Sequence, residues 1–404
     1  MSFMKLSYIA NTRIPTEKSY GMAIMKICES LAASGCEVEL VLPTRRNPQF
    51  KGEDQFKHYT VVKNFRIVSL PCPDLIGIKS PRPISFLLGL IQYFLFYREL
   101  KKYFASRPDT VLFSREQRLL YLLRGLPNFK VYEIHDIFPV KNIFYKTLLD
   151  VVDKIIVTNN WKREELIKHF VLDERKISVV PNAVDVDIFL DHPLTKEEAR
   201  QRLNLSLDKK MVVYVGGFQQ WKGVYVLAKA LTYLPHDQGI EVHLVGGGPE
   251  PERSQFLKFL KLKNWGLAFT HEAVPYSLVS TWMYAADVLV APGTMIDPRG
   301  VFYTSPLKIF EYIATGRPLV LTDLSAVREA IQFALNCNDW EKWKDLFVPP
   351  NSPKMLADTI MSRLDKVNEW QPLVSREDIA KRLGWENRAK KIISLLPLEV
   401  VLKN

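Results

Sequence analysis

LSYIANTRIPTEKSYGMAIMKICESLAASGCEVELVLP, residues 6–43, decides the fold class. Its first five residues, Leu6–Ala10, form a short apolar strand, and a loop with Pro15 and Gly21 follows. Met22, Met25, Ile27, Cys28, Leu31 and Ala32 then recur mostly three or four positions apart, the period of a helix with one apolar face. Gly35 closes that run, and CEVELVLP, Cys36–Pro43, reads as the next strand. Strand, helix and strand at this spacing make a βαβ unit, which implies a parallel sheet.

The alternation continues outward. FRIVSLP (65–71), DTVLFS (109–114), KVYEIH (130–135), DKIIVTN (153–159) and ISVVP (177–181) read as strands, with helices expected near 86–105, 115–124, 142–150 and 161–170. Between Asp185 and Lys210 the polar, helix-forming stretch DHPLTKEEARQRLNLSLDKK reads as a linker. The pattern then restarts with the strand MVVYVGG (211–217) and the helix WKGVYVLAKALTYL (221–234). EVHLVGGGP (241–249), LAFTHEAV (267–274) and DVLVAPG (287–293) follow as strands, then PLKIFEYIATG (306–316) as a helix and PLVLTD (318–323) as a strand. A chain of 404 residues exceeds what one hydrophobic core usually organises. The reading is therefore α/β, with two domains: 1–190, joined by a C-terminal helix within about 380–404, and 205–375.

A hydrophobic share of 47% and a charged share of 25% suit an ordinary globular protein rather than a disordered one. The net charge of +11 and a pI near 9.3 favour an anionic partner: nucleic acid, an acidic membrane surface or a phosphorylated ligand. The basic residues are scattered and no zinc-finger, RNP-like or basic-zipper pattern occurs, so nucleic acid is not the expected partner. Four cysteines without CxxC spacing argue against a disulfide framework or structural zinc, and the N-terminus lacks the apolar region of a signal peptide. A cytoplasmic location is expected. ISFLLGLIQYFLFY (84–97) is too short for the ~20 residues that cross a bilayer. It reads first as a buried helix of the first domain. The basic tail Arg98–Arg107 keeps a second reading, an interfacial helix in weak contact with the inner face of an anionic membrane.

Ligands of open parallel sheets gather at the carboxyl ends of the strands, so polar and glycine-rich residues there come first. In TSPLKIFEYIATGRPLVLT (304–322), Ser305 is a candidate N-cap, Pro306 fits the first helical position and Gly316 the position just past the end. The free N–H groups of that helix start suit a phosphate, and Lys308 adds a charge. Glu311, three residues on, suits a ribose diol, as the acid of dinucleotide folds does. A capped surface helix with an ordinary Lys–Glu pair is the plain alternative. In VYVGGFQQWKGVYVL (213–227), Gly216 and Gly217 let backbone approach a ligand and Lys222 offers a charge to a diphosphate, or stands exposed in a turn. VHLVGGGPE (242–250), centred on Gly247, also allows close approach, but it is not GxGxxG and no helix is expected to open behind it. VYEIHD (131–136) sets His135 and Asp136 at a strand's carboxyl end, where the histidine either meets substrate or serves the structure.

Taken in order, SYGMAIMKICESLAASGCEVELV (19–41), EIHD (133–136), VVDKIIVTNNWKREEL (151–166), KISVVPNAVDVDIF (176–189), VYVGGFQQWKGV (213–224), YAADVLVAP (284–292) and SPLKIFEYIATGRPLV (305–320) resemble the GT-B-fold glycosyltransferases, specifically retaining family 4. The resemblance runs over about residues 4–395. It implies two facing Rossmann-like domains with the active site in the cleft between them and a nucleotide sugar, favoured as a UDP-sugar, bound by the C-terminal domain. It implies transfer to an acceptor hydroxyl with retention of configuration and no cofactor. The acceptor, a glycan, a lipid-linked or a small molecule, would meet first-domain loops near Arg13–Gly21 and 74–90.

Carried over by position, Lys222 matches the diphosphate-binding lysine and Glu311 the second acid of the E-x7-E motif, which holds the ribose. Ser305, Pro306 and Leu307 match the loop whose backbone meets the phosphates, and His135 the histidine near the anomeric carbon. Asn182 falls in the turn NAVD, near the interdomain crossing. The implied catalytic set is His135, Glu311 and Lys222. The implied donor set is Gly216, Gly217, Lys222, Gly247, His271, Val274, Ser305, Pro306, Leu307, Lys308 and Glu311. Four positions depart from the pattern: Tyr303 stands for the first acid of E-x7-E, Gly217 for a common arginine, His271 for a common glycine, and Tyr20-Gly21 for a double glycine. A metal is not expected, since no DxD run adjoins the phosphate site and Asp287 and Asp297 stand ten apart. The competing readings are an epimerase or hydrolase of the same fold, a non-catalytic member, and a basic membrane- or nucleic-acid-binding protein.

Overall fold

The computed structural model describes residues 4–16, 19–45, 47–75, 81–135, 143–191, 193–263 and 266–397. Asp136, residues 17–18 and 76–80 of the expected acceptor loops, residue 142 of an expected helix, residue 192 of the expected linker and residues 398–404 lie outside them. The chain divides into two compact units, Met1–Val180 with Trp385–Asn404, and Pro181–Gly384.

The first unit is built on seven strands: β1 (Met4–Ile9), β2 (Cys36–Pro43), β3 (Arg66–Leu70), β4 (Val111–Ser114), β5 (Lys130–Ile134), β6 (Lys154–Val157) and β7 (Ile177–Val179). Their order is β3-β2-β1-β4-β5-β6-β7, every described pairing is parallel, and Leu6 lies opposite both Val38 and Val111. The strand order reverses between β1 and β4, the place where open parallel sheets expose strand ends to a ligand. The helix Ser19–Ala33 makes the β1–β2 crossover expected from the sequence. The helix Trp385–Ser394 packs on it and belongs to this unit.

The second unit has β8 (Lys210–Val215), β9 (Ile240–Val245), β10 (Ala268–His271), β11 (Val288–Ala291), β12 (Leu319–Thr322) and β13 (Phe347–Val348), all parallel, in the order β10-β9-β8-β11-β12-β13. Its switch point lies between β8 and β11. Central strands of both sheets are buried on both faces, which is why they read as continuous apolar runs. The apolar face of the helix Leu307–Thr315 docks into this core, and Gly316, at φ 71°, ends it in the left-handed conformation that glycine adopts without penalty.

Several expectations need correction. The stretch read as a linker is part of the second unit, which begins at Pro181. Thr195 and Glu198 form a capping box that starts the helix Lys196–Arg202. Arg200 on that helix is almost wholly buried, with Nη2 2.6 Å from Asp287 and Nε donating to the carbonyl of Ala285. Asp287 also accepts from Lys196 at 2.9 Å and from the Met211 N–H at 2.7 Å, so a polar-looking segment is bolted to β8 and β11. The run 221–234 is not one helix. It is a 3-10 turn Gln220–Lys222, a helix Val224–Ala230 and a second 3-10 turn Leu231–Tyr233, because Gly223 takes φ 80°. A helix does open behind the triple glycine, Glu252–Lys263, directly after Pro251. The helices Ser325–Leu335 and Pro353–Asp365 were not foreseen.

Asp287 is 6% exposed and carries two cations and one backbone amide. Asp287→Ala leaves the Arg200 guanidinium buried without its counter-charge and should cost about 3–5 kcal/mol. Urea unfolding followed by tryptophan fluorescence checks this, and a loss below about 1 kcal/mol would show that the cluster is not structural.

Candidate active site

Backbone comes closest together at the carboxyl ends of β8 and β9. A Cβ on Gly246 would lie 2.1 Å from the Gly216 carbonyl oxygen, so only glycine allows this approach. The Gly216 N–H donates to Val245 O at 2.9 Å, Gly246 N–H to His271 O at 3.1 Å, and Phe218 N–H to Gly247 O at 2.6 Å. Gly216, Gly217, Gly247 and His271 are thereby held in one row of strand ends. The Tyr214 hydroxyl closes the turn by donating to Gly217 O at 2.7 Å.

Lys308 reaches this row, and the charge of Lys222, from a different element, acts on it. Lys308, in the first turn of the helix Leu307–Thr315, holds its Nζ 4.4 Å from the centre of the Tyr214 ring, and a Cβ on Gly216 would lie 2.9 Å from that Nζ. Lys222 lies 3.8 Å over the Trp221 ring, which Arg299 also approaches at 5.1 Å. Neither amine has a hydrogen-bond or ion-pair partner among the described residues. Burial lowers the Lys308 pKa to about 7, and the charge of Lys222 adds to that despite Glu311. Burial, then the charge of Arg299, lowers Lys222 to about 8. Two half-buried cations therefore repel one another across a glycine-lined floor.

Glu311, one turn beyond Lys308, is buried and accepts from the Tyr276 hydroxyl at 2.9 Å rather than pairing with the lysine. Burial raises its carboxyl to about 7, against the lowering effects of Tyr276 and Lys308. The next residue, Tyr312, pins the helix to β8, its hydroxyl accepting from the Val215 N–H at 2.9 Å. Ser305 does not cap this helix. Pro306 is the N-cap, without a side-chain bond, and Ser305 Oγ accepts from the Asn182 N–H at 3.2 Å. Asn182 Nδ2 donates to Ser305 O at 2.8 Å, so the turn NAVD fixes the loop in front of Leu307. Tyr303 ends the turn Arg299–Tyr303.

His271 is drawn aside. Its ring stacks on His243, with Nε2 3.0 Å from His243 Nδ1, and lies 4.1 Å from Trp282. Burial, then His243, lowers it to about 4, so it is neutral at pH 7. Val274 packs against the apolar core. Asp297 is committed to Arg299 through both oxygens, at 3.0 and 2.6 Å.

His135 stands in the first unit, just past β5. Its Nε2 lies 3.1 Å from Glu133 Oε2, and its carbonyl accepts from the wholly buried Lys162 at 2.9 Å. Glu133 also takes Arg115 Nε at 2.7 Å and the Arg388 guanidinium. Burial alone would raise that carboxyl, but Arg115 and Arg388 outweigh it and hold it well below the usual range. Burial, then Arg115, pushes His135 down to about 3 despite Glu133, so its imidazole is neutral.

Tyr214, Trp221, Tyr276 and Arg299 escaped the sequence reading. Trp221 adjoins Lys222 and was legible in principle. Tyr276 lies 35 residues before Glu311, and only the fold joins them.

Residues 209–366 match the family model of glycosyl transferases group 1, and residues 21–188 that of glycosyltransferase family 4. A Bacillus subtilis protein named as a teichuronic acid biosynthesis glycosyltransferase, TuaC, is 29% identical over 198 residues, 49% of this chain and 44% of that one. A D-inositol 3-phosphate glycosyltransferase of Corynebacterium glutamicum is 24% identical over 400 residues, 92% of this chain and 90% of that one. Sucrose-phosphate synthase from Thermosynechococcus elongatus shares the fold at a TM-score of 0.73 and 21% identity, over 97% of this chain and 98% of that one. Anabaena HepE in complex with UDP and glucose does so at 0.67 and 15%, over 97% and 98%. With one model on each parallel-sheet unit, the chain belongs to the GT-B glycosyltransferases of family 4 and group 1.

Proposed function

We propose that the second unit binds a nucleoside-diphosphate sugar, with a UDP-sugar favoured, and that the sugar passes to an acceptor hydroxyl with retention and without a metal. The observation that carries this is the pair Lys222 and Lys308, two amines whose pKa values are lowered by burial, that of Lys308 further by the charge of Lys222, and which make no hydrogen bond or ion pair among the described residues. A diphosphate supplies the missing charge, and the N–H groups at the start of the helix Leu307–Thr315 add to it. Glu311 accepts from the ribose diol, with Tyr276 fixing its other hydrogen bond. The likeness to HepE, described with UDP and glucose, supports uridine.

Lys222→Ala and Lys308→Ala each remove a charged hydrogen bond, worth about 1.5–3 kcal/mol, or roughly ten- to hundredfold in donor affinity. Calorimetric titration with UDP on variants of unchanged melting temperature checks this. Affinity equal to wild type in both would place the diphosphate elsewhere.

Retention rests on the resemblance to retaining family 4, and the carboxylates leave room for a route without a covalent intermediate. Glu133 is locked between two arginines and Glu311 is bonded to Tyr276, so neither is disposed as a glycosidase-type nucleophile. His135, kept neutral, serves as a hydrogen-bonding group for the sugar, and attack from the leaving-group side preserves configuration. Proton NMR of the product formed with EDTA present should show the donor's anomeric configuration. An inverted linkage, or activity lost to EDTA and restored by magnesium, contradicts the proposal.

The interfacial reading of the segment 84–97 is also part of this proposal. Among the described residues no helix is long and apolar enough to cross a membrane. On the helix Arg82–Ala105, Ile84, Phe86, Leu87, Leu90, Ile91 and Phe94 are exposed, Phe86 at 65%, and the same exposed side continues into Arg98, Lys101 and Lys102. An apolar end followed by a basic one fits a bilayer with anionic headgroups. Flotation should show binding to vesicles rich in phosphatidylglycerol at low salt that is lost in Phe86→Ser/Phe94→Ser. Equal flotation by that double variant would remove the helix from the argument.

A further inference from the structure

The first unit has its own switch point, between β1 and β4, and three polar residues stand at the strand ends around it. Asn11 follows β1, Arg45 follows β2 and Glu116 follows β4. Arg45 Nη1 donates to the Asn11 carbonyl at 3.2 Å, which fixes the guanidinium over that opening. Its Nε and Nη2 are shielded from solvent and have no partner among the described residues.

Those two nitrogens are the side-on edge of the guanidinium, the fork that matches the two oxygens of a carboxylate or phosphate. The chain uses this edge elsewhere: Arg299 on Asp297, Arg175 on Asp173 and Arg328 on Asp323 each meet a carboxylate with it. At Arg45 the edge is open. Two acids lie near enough to act on its charge, and both are engaged. Asp74 takes Arg13 Nη2 on its two oxygens, at 3.1 and 2.9 Å. Glu116 accepts from the Tyr93 hydroxyl at 2.9 Å and from the Asn11 backbone. Asn11 Oδ1, on the same loop, is likewise buried without a partner among the described residues. Buried N–H groups and acceptors left unmade cost free energy, so a fork and an acceptor side by side at a switch point mark a place where a ligand completes the bonding.

We propose that the side-on edge of Arg45 holds an anionic group of the acceptor, a phosphate or a carboxylate, while Asn11 Oδ1 accepts from a neighbouring hydroxyl. Arg13 adds a second positive charge beside it and stays paired with Asp74. The word acceptor rests on the transferase reading. The anion site itself does not, because it lies in the unit that the donor lysines do not belong to.

Calorimetry on the full chain with glucose 6-phosphate, glucuronate and glucose tests it, with UDP titrated separately into every variant. Wild type should bind at least one of the two anionic sugars tenfold or more tighter than glucose, and which of them it prefers separates phosphate from carboxylate. Arg45→Met should erase that preference and leave UDP binding unchanged. Arg45→Lys, which keeps the charge but not the fork, should retain only part of it and decides the matter if the methionine variant does not fold. Arg66→Met, at an exposed arginine of the same unit, should change nothing. An anionic preference absent from wild type, or one that survives both Arg45 variants, overturns the proposal. Failure of UDP to bind wild type would count against the donor reading alone.

Discussion

Lys222 and Lys308 repel each other, and the second unit is arranged to hold them together nonetheless. Tyr214 and Trp221 offer ring faces, which attract an ammonium without neutralising it. The glycine turns bring the ends of β8 and β9 together and leave room for the Lys308 amine beside Gly216. Asn182 fixes the loop ahead of Lys308, and Tyr312 ties the same helix to β8. On the proposed function, each of these contacts supports a charge that the donor diphosphate would meet.

The first unit handles charge in the opposite way. Glu133 is buried as deeply as any residue here, yet Arg115 and Arg388 compensate it from two sides, and Lys162 satisfies the carbonyls that lead to His135. Those ion pairs stiffen the strand end that presents His135. In the same unit, Arg45 keeps its fork without a partner among the described residues. What separates the two is counter-charge: Arg115 and Arg388 each meet a buried carboxylate, whereas Arg45 makes no ion pair among the described residues.

Much of the architecture was legible because parallel strands, covered on both faces, leave long apolar runs in the sequence. The switch of period between such runs and the helices revealed the βαβ repeats, and the glycine at position 316 ended its helix as expected. The helix starts were less legible. Ser305 has the chemistry of a cap, but its hydroxyl is claimed by Asn182, a residue 123 positions away. The supposed linker misled for a related reason: Arg200 looks solvated in sequence, and its burial is explained by partners such as Asp287, 87 positions on, and the Ala285 carbonyl. At the site, Lys222, Lys308 and Glu311 stood out by type and position, whereas Tyr276 and Arg299 carry no local mark. The open edge of Arg45 is a property of three dimensions alone.

The pairing of Arg388 with Glu133 spans 255 positions of sequence. At synthesis rates of about 5–20 residues per second, the ribosome needs roughly a quarter of a minute to most of a minute to travel that distance. Throughout that interval Glu133 has Arg115 but not its second cation, and the helix Trp385–Ser394 that covers the helix Ser19–Ala33 does not yet exist. The second unit, Pro181–Gly384, is contiguous and has all its strands before the first unit receives its last element. Order of emergence and order of completion are therefore reversed: the unit that contains residue 4 cannot make all its native contacts until the second unit has been synthesised.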